Sequence, residues 1–93
     1  MLIDYRRIDY VRGLKDYCVL HTPDQKYVVK GSIKSIEQFL PKGHFVRVHK
    51  SFIVSKTKIK SIYKNKLDLG AVKIPVGRKF KDRIDSFFMI KGD

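Results

Sequence analysis

The 93-residue sequence predicts a mainly β domain: small antiparallel sheets of short strands, one short helix in the middle and a second at the C-terminus. Three observations carry this. Short runs rich in β-branched and aromatic residues recur along most of the chain. Gly, Pro or Asn interrupts them at close intervals, as tight turns require. Only two stretches change to helical spacing.

Arg7 to Arg12 (RIDYVR) and Asp16 to Thr22 (DYCVLHT) are the first two strands, separated by Gly13, Leu14 and Lys15. Pro23 to Lys26 is the next turn, with Pro23 suited to its second position, and Tyr27 to Lys30 returns antiparallel as a hairpin. After Gly31 the period changes. Ile33, Ile36, Phe39 and Leu40 fall at helical spacing, Ser32 can cap and Pro41 stops the segment, which predicts a helix over Ile33 to Leu40. The strand pattern resumes at Phe45 to His49, bends near Lys50 and Ser51, and continues as Phe52 to Ser55. Ile59 to Tyr63, Lys66 to Leu69 and Val72 to Pro75 follow, with turns at Asn65 and at Gly70 and Ala71. A last helical pattern puts Phe80, Ile84, Phe87 and Phe88 on one face.

Hydrophobic residues make up 43% of the chain and aromatics 12%, enough for one modest core and a single domain over 1–93. Charge is the more telling quantity. The chain carries 21 Lys+Arg against 9 Asp+Glu, a formal +12, and self-repulsion of that size points to a polyanionic partner. The excess is uneven, at 7 basic and 5 acidic residues over 1–41 but 14 and 4 over 42–93. No apolar run approaches the roughly 18 residues of a membrane span and no signal-peptide pattern opens the chain, so a cytoplasmic protein without membrane contact is expected. Cys18 is the sole cysteine, which excludes an internal disulfide and a cysteine-built zinc site. With Tyr17, Val19 and Leu20 as neighbours it reads as a buried, inert thiol, while nearby Lys15 leaves a reactive thiol open as the alternative.

Enzymatic chemistry finds no foothold. His21, His44 and His49 are not spaced as metal ligands, no nucleophile is paired with a base, and there is no phosphate-binding glycine loop; no metal and no cofactor are expected. His49 reads as a hydrogen-bonded structural residue. The basic residues say more. Between Lys42 and Lys81 there are 12 cations and one acid, Asp68, where a merely solvated face mixes both signs. Lys56, Lys58, Lys60, Lys64 and Lys66 would share one face of an extended segment, either as edge-protecting charges or as phosphate contacts. Reading bases demands side chains delivered on rigid supports. Three places qualify: Lys50 at the bend of FVRVHKSFIV, Arg78 after Ile74-Pro75-Val76-Gly77, and the tip Lys15-Asp16-Tyr17. Arg78 is the strongest, its planar fork matching the O6 and N7 of guanine.

These motifs together resemble the LytTR-type DNA-binding domain found at the C-terminus of bacterial response regulators. The likeness runs through DYVRGLKDY (Asp9 to Tyr17), Gly31-Ser32-Ile33, FVRVHKSFIV (Phe45 to Val54), Ile59 to Ile62 and IPVGR (Ile74 to Arg78). It implies three small antiparallel sheets stacked along the chain with a short helix between two of them. It also implies loops, rather than a recognition helix, entering successive grooves. Lys15, Asp16, Tyr17 and Arg78 would then approach bases in major grooves and Lys50 the minor groove between them, with Ser51, Lys56, Lys58, Lys79 and Lys81 anchoring phosphates. At position 50 the family more often has Arg or Asn, and at position 77 Ser. The resemblance further implies an excised output domain of a longer two-component transcriptional regulator with an N-terminal receiver domain, binding double-stranded DNA at promoter direct repeats, with two domains side by side as a dimer on tandem sites about one helical turn apart. Two other classes stay open on the residues alone. One is a single-stranded RNA-binding β-module stacking bases on Tyr5, Tyr10, Tyr27 or Tyr63. The other is an interaction domain for acidic proteins.

Overall fold

The computed structural model describes residues 2–87. In order, the elements are β1 (Tyr10–Leu14), β2 (Tyr17–His21), β3 (Lys26–Lys30), α1 (Ile33–Phe39), β4 (Phe45–His49), β5 (Phe52–Ser55), β6 (Ser61–Tyr63), β7 (Lys66–Asp68), β8 (Lys73–Pro75) and α2 (Lys81–Phe87). Single 3-10 turns occupy Tyr5–Arg7, Lys56–Lys58 and Arg78–Phe80. The fold is mainly β, as the sequence predicts. The expected Phe88 position of the last helix lies outside the described residues.

All pairing is antiparallel, in two sheets rather than the three implied by the resemblance: one of five strands, ordered β3-β2-β1-β5-β4, and one of three, β6-β7-β8. The difference arises at β1. It pairs with β2 in the first hairpin and, along its other edge, with β5 through Tyr10↔Val54, Val11↔Ile53 and Arg12↔Phe52. Buried backbone donors and acceptors need partners, so the inner edges of two adjacent hairpins join into one ladder.

The first strand also begins and ends later than its composition suggests. Asp4 caps the Tyr5–Arg7 turn, accepting from the Arg6 N–H at 3.0 Å, and Gly13 and Leu14 belong to β1. The connection is the pair Lys15-Asp16, with Lys15 in the left-handed region at φ 64°. Gly13 is needed for packing: a Cβ there would stand 2.8 Å from the Cβ of Ile33 on α1. In α1 itself Ser32 accepts from the Ser35 N–H at 3.2 Å. The helix stops at Phe39, which is 84% exposed instead of facing the core, while Ile33, Ile36 and Leu40 pack inward.

Two hydrophobic clusters share β4 and β5. Ile8, Val11, Cys18, Leu20, Phe45 and Ile53 form the first under α1, and Val48, Val54, Leu67, Ile74 and Ile84 the second between the sheets and α2. The β4–β5 hairpin is thus covered on both faces, which is why FVRVH and FIVS read as near-continuous apolar runs rather than as alternation. Cys18 has no exposed surface, and its thiol donates to the Gly31 carbonyl at 3.4 Å; burial pushes its pKa up, which suits an inert role.

Gly13→Ala is expected to destabilise the fold by about 1 to 3 kcal/mol through overpacking against Ile33. Urea denaturation reads this as a lower midpoint at constant slope. Gly43→Ala, where a Cβ meets nothing within 4 Å, serves as the control expected to stay within about 0.5 kcal/mol. A second expectation concerns acid. His21 stacks on Tyr10 with ring centroids 4.1 Å apart, and burial, then Lys26 and Arg12, hold its pKa below the ordinary 6.5. As pH falls past 6.5 the unfolded chain takes up this proton before the folded one, so stability should decline from pH 7 toward the lowered folded value. His21→Phe keeps the stack and should flatten that slope in denaturation curves taken across the range.

Candidate nucleic-acid interface

The bend between β4 and β5 is built around Arg47. Its side chain is 12% exposed, and its guanidinium donates from Nε to the His49 carbonyl at 2.8 Å, from Nη2 to the Lys50 carbonyl at 2.7 Å and from Nη1 to Glu37 Oε1 on α1 at 2.8 Å. The register shifts between Arg47 and His49, a bulge just before the bend, and Lys50 lies beyond the end of β4. Beyond the guanidinium lies the ring of Phe80, 5.4 Å from the Arg47 carbon and 5.1 Å from that of Arg83. His49 has the structural role expected of it: its Nδ1 accepts from the Ser51 N–H at 3.0 Å, and its ring meets Phe52 edge-on at 5.6 Å. Lys50 is left exposed at the apex.

The other two tips are tied to this bend by main-chain hydrogen bonds. The Gly13 N–H donates to the Ser51 carbonyl at 2.8 Å, which fixes β1 just before Lys15, Asp16 and Tyr17. The Asp16 carbonyl in turn accepts from the Gly31 N–H at 2.8 Å. On the far side the Gly77 N–H donates to the Val48 carbonyl at 2.7 Å, and a Cβ on Gly77 would stand 3.4 Å from His49 Cδ2 and 3.2 Å from Phe80 Cδ2. Glycine at 77 therefore lets the Arg78 turn lie flat on the β4 end. Lys15, Asp16, Tyr17, Lys50 and Arg78 are all exposed, and the bend stands between the other two tips.

The positions read as phosphate anchors are less uniform. Lys79 and Lys81 are exposed beside Arg78, whereas Ser51 is half-buried with both backbone groups engaged. Lys56 and Lys58 sit in a 3-10 turn, so the run from Lys56 to Lys66 is not one extended face. Lys58 Nζ lies 3.6 Å from Asp9 Oδ1, an oxygen that is buried and accepts no hydrogen bond. The contact is one of charge alone, and it draws Lys58 toward the protein. Among the tyrosines, Tyr5 packs on Phe45 and His44, Tyr10 stacks on His21, and Tyr27 borders the first cluster; Tyr63 is 72% exposed. Arg47 and Glu37 carry the site's architecture and were not among the residues singled out from sequence. The available signal was one arginine inside the apolar run FVRVH.

Among the described residues no cluster of His, Cys, Asp or Glu could hold a metal, and no helix is long and apolar enough to cross a membrane. Residues 1–89 match the LytTr DNA-binding domain family, and the chain belongs to that family. It is 39% identical over 62 residues to the sensory transduction protein LytT of Enterococcus faecalis, covering 60% of this chain and 26% of that protein. To the protein of the same name in Bacillus subtilis it is 29% identical over 96 residues, covering 97% of this chain and 40% of that protein. The chain thus spans well under half the length of these relatives. Its fold matches a LytTr DNA-binding domain from Bacillus cereus with a TM-score of 0.86 over 97% of this chain and 88% of the other, at 22% identity.

Replacing Arg47 by Lys keeps the charge and loses the fork. We expect it to cost about 1 to 3 kcal/mol, because a point charge cannot satisfy two carbonyls and a carboxylate in one plane. Lys50→Ala, three residues on, should change stability by less than about 0.5 kcal/mol. Parallel urea titrations of the two variants check whether scaffold and contact separate in this way.

Proposed function

We propose that this domain binds double-stranded DNA sequence-specifically as the output module of a transcriptional regulator. The observation that carries the reading is the bracing of three exposed tips onto one frame by the Gly13–Ser51 and Gly77–Val48 hydrogen bonds. Rigid supports let Lys15, Asp16, Tyr17, Lys50 and Arg78 meet base edges without an ordering cost at each encounter. Arg78 and the Lys15–Tyr17 tip address major grooves and Lys50 the minor groove between them. The longest dimension of the domain, 44 Å, is comparable with the roughly 34 Å of one helical turn, which is compatible with contact to successive grooves. Lys79 and Lys81, with Ser51, Lys56 and Lys58, supply phosphate contacts. Relatives named sensory transduction proteins support a place in signal-dependent regulation, with a receiver domain elsewhere in the natural chain and two domains side by side on promoter direct repeats.

Selection of bound duplexes from a random library tests the reading and supplies the site. With about six phosphates neutralised, log K should fall against log salt with a slope near about −5. On the selected site Arg78→Ala should cost about 1 to 3 kcal/mol and relax discrimination at one base pair, whereas Lys79→Ala should weaken selected and random duplexes alike. A flat salt response, or equal losses for Arg78→Ala on both duplexes, rejects the assignment.

A further inference from the structure

The small sheet has a second face that the three tips do not use. Along β6, β7 and β8 the side chains alternate. Leu67 and Ile74 turn into the core with 0% and 1% exposure, which leaves Ser61, Tyr63, Lys66, Asp68, Lys73 and Pro75 on the outside. Pairing sets these six in two rows: Tyr63, Lys66 and Pro75 beside the Lys64-Asn65 turn, and Ser61, Asp68 and Lys73 one step further from it. A shallow depression lies on this face, lined by Ser61, Tyr63, Lys64, Lys66, Asp68 and Lys73.

Its charge is mainly basic, Lys64, Lys66 and Lys73 against Asp68. Lys64 Nζ stands 5.4 Å from the Tyr63 ring, and among the described residues neither Lys66 nor Lys73 has an ion-pair partner. Asp68, the one acid on the face, directs Oδ1 to the Gly70 N–H at 2.7 Å. Both residues of the Lys64-Asn65 turn have positive φ, 48° and 63°, the signature of a tight primed turn that holds the tip rigid. That turn is joined to the reading edge: the Val76 N–H donates to the Asn65 carbonyl at 2.9 Å, and Asn65 and Arg78 line a common depression.

We infer that this face is a second DNA contact, in which Lys64, Lys66 and Lys73 neutralise phosphates of the duplex beyond the base pair addressed by Arg78 and Tyr63 lies against the sugar edge. The inference rests on the duplex-binding reading above and extends its footprint outward past Arg78. Charge complementarity and continuity with the Arg78 turn favour the phosphate backbone as occupant. A single strand is disfavoured because it stacks on successive rings, and this face offers one.

The test measures affinity for a duplex selected by the protein itself, shortened one base pair at a time from the end nearest Arg78, for the wild type and for Lys66→Ala/Lys73→Ala. Both lysines are exposed, so the double variant should fold normally. On long duplexes it should bind about tenfold more weakly, with a salt slope smaller by about 2. On duplexes trimmed to the Arg78 contact the two proteins should bind equally, which also shows that the variant's reading tips are intact. Equal affinities at every length, or an equal deficit at every length, overturn the inference while leaving the function proposed above in place. Failure of the wild type to bind any duplex overturns both. Displacement by single-stranded DNA that Tyr63→Ala abolishes overturns the duplex contact in favour of base stacking.

Discussion

The Arg47 guanidinium is the contact on which the working parts of this domain depend. The carbonyls of His49 and Lys50 at the bend accept from this side chain, and a nearly buried cation needs acceptors around it. Glu37 supplies the countercharge from α1, and the Phe80 ring lies beside the cation. One side chain thereby joins the β4–β5 bend, the central helix and the turn that follows Arg78. Arginine suits the position because its donors lie in one plane and can reach several acceptors at once.

From that bend the architecture spreads in both directions. The β4–β5 hairpin is shared by the two hydrophobic clusters: Val48 and Val54 pack with Leu67 and Ile74 of the three-stranded sheet, and Phe45 and Ile53 belong to the cluster under α1. Main-chain hydrogen bonds from Gly13 and Gly77 then fix the outer tips to the bend. The two glycines serve close approach: Gly13 makes room for Ile33, and Gly77 lets the Arg78 turn lie against His49. A domain of this size has little stability to spare, and a surface that works through loops needs those loops stiff. Bracing them through backbone groups leaves the side chains at the tips exposed.

Much of the element order was legible in the residues, for physical reasons that are local. Ser32 before an Ile33, Ile36 pattern and Pro41 after it announce α1, and Asn65 and Gly70-Ala71 mark the turns of the small sheet. The exposed tips at Lys15–Tyr17, Lys50 and Arg78 were legible too, since charged residues beside Gly or at a bend in an apolar run have nowhere to be buried. Less visible were Gly13, which looks like a turn residue and is a strand residue under a helix, and Phe39, which fits the helical period yet faces solvent. Lys58 likewise looks like one more surface lysine until Asp9 is found 3.6 Å away.

Periodicity, turn chemistry and charge are properties of neighbours along the chain, and they specified a basic, mainly β domain with exposed tips. The joining of two hairpins into one sheet at β1, the burial of Arg47 between α1 and Phe80, and the free outer face of the small sheet arise from contacts between distant segments. Those contacts are set by which backbone edges and which buried charges remain unsatisfied once the local elements have formed. A cation inside FVRVH reads the same on paper whether it points to solvent or to Glu37; only packing against α1 chooses.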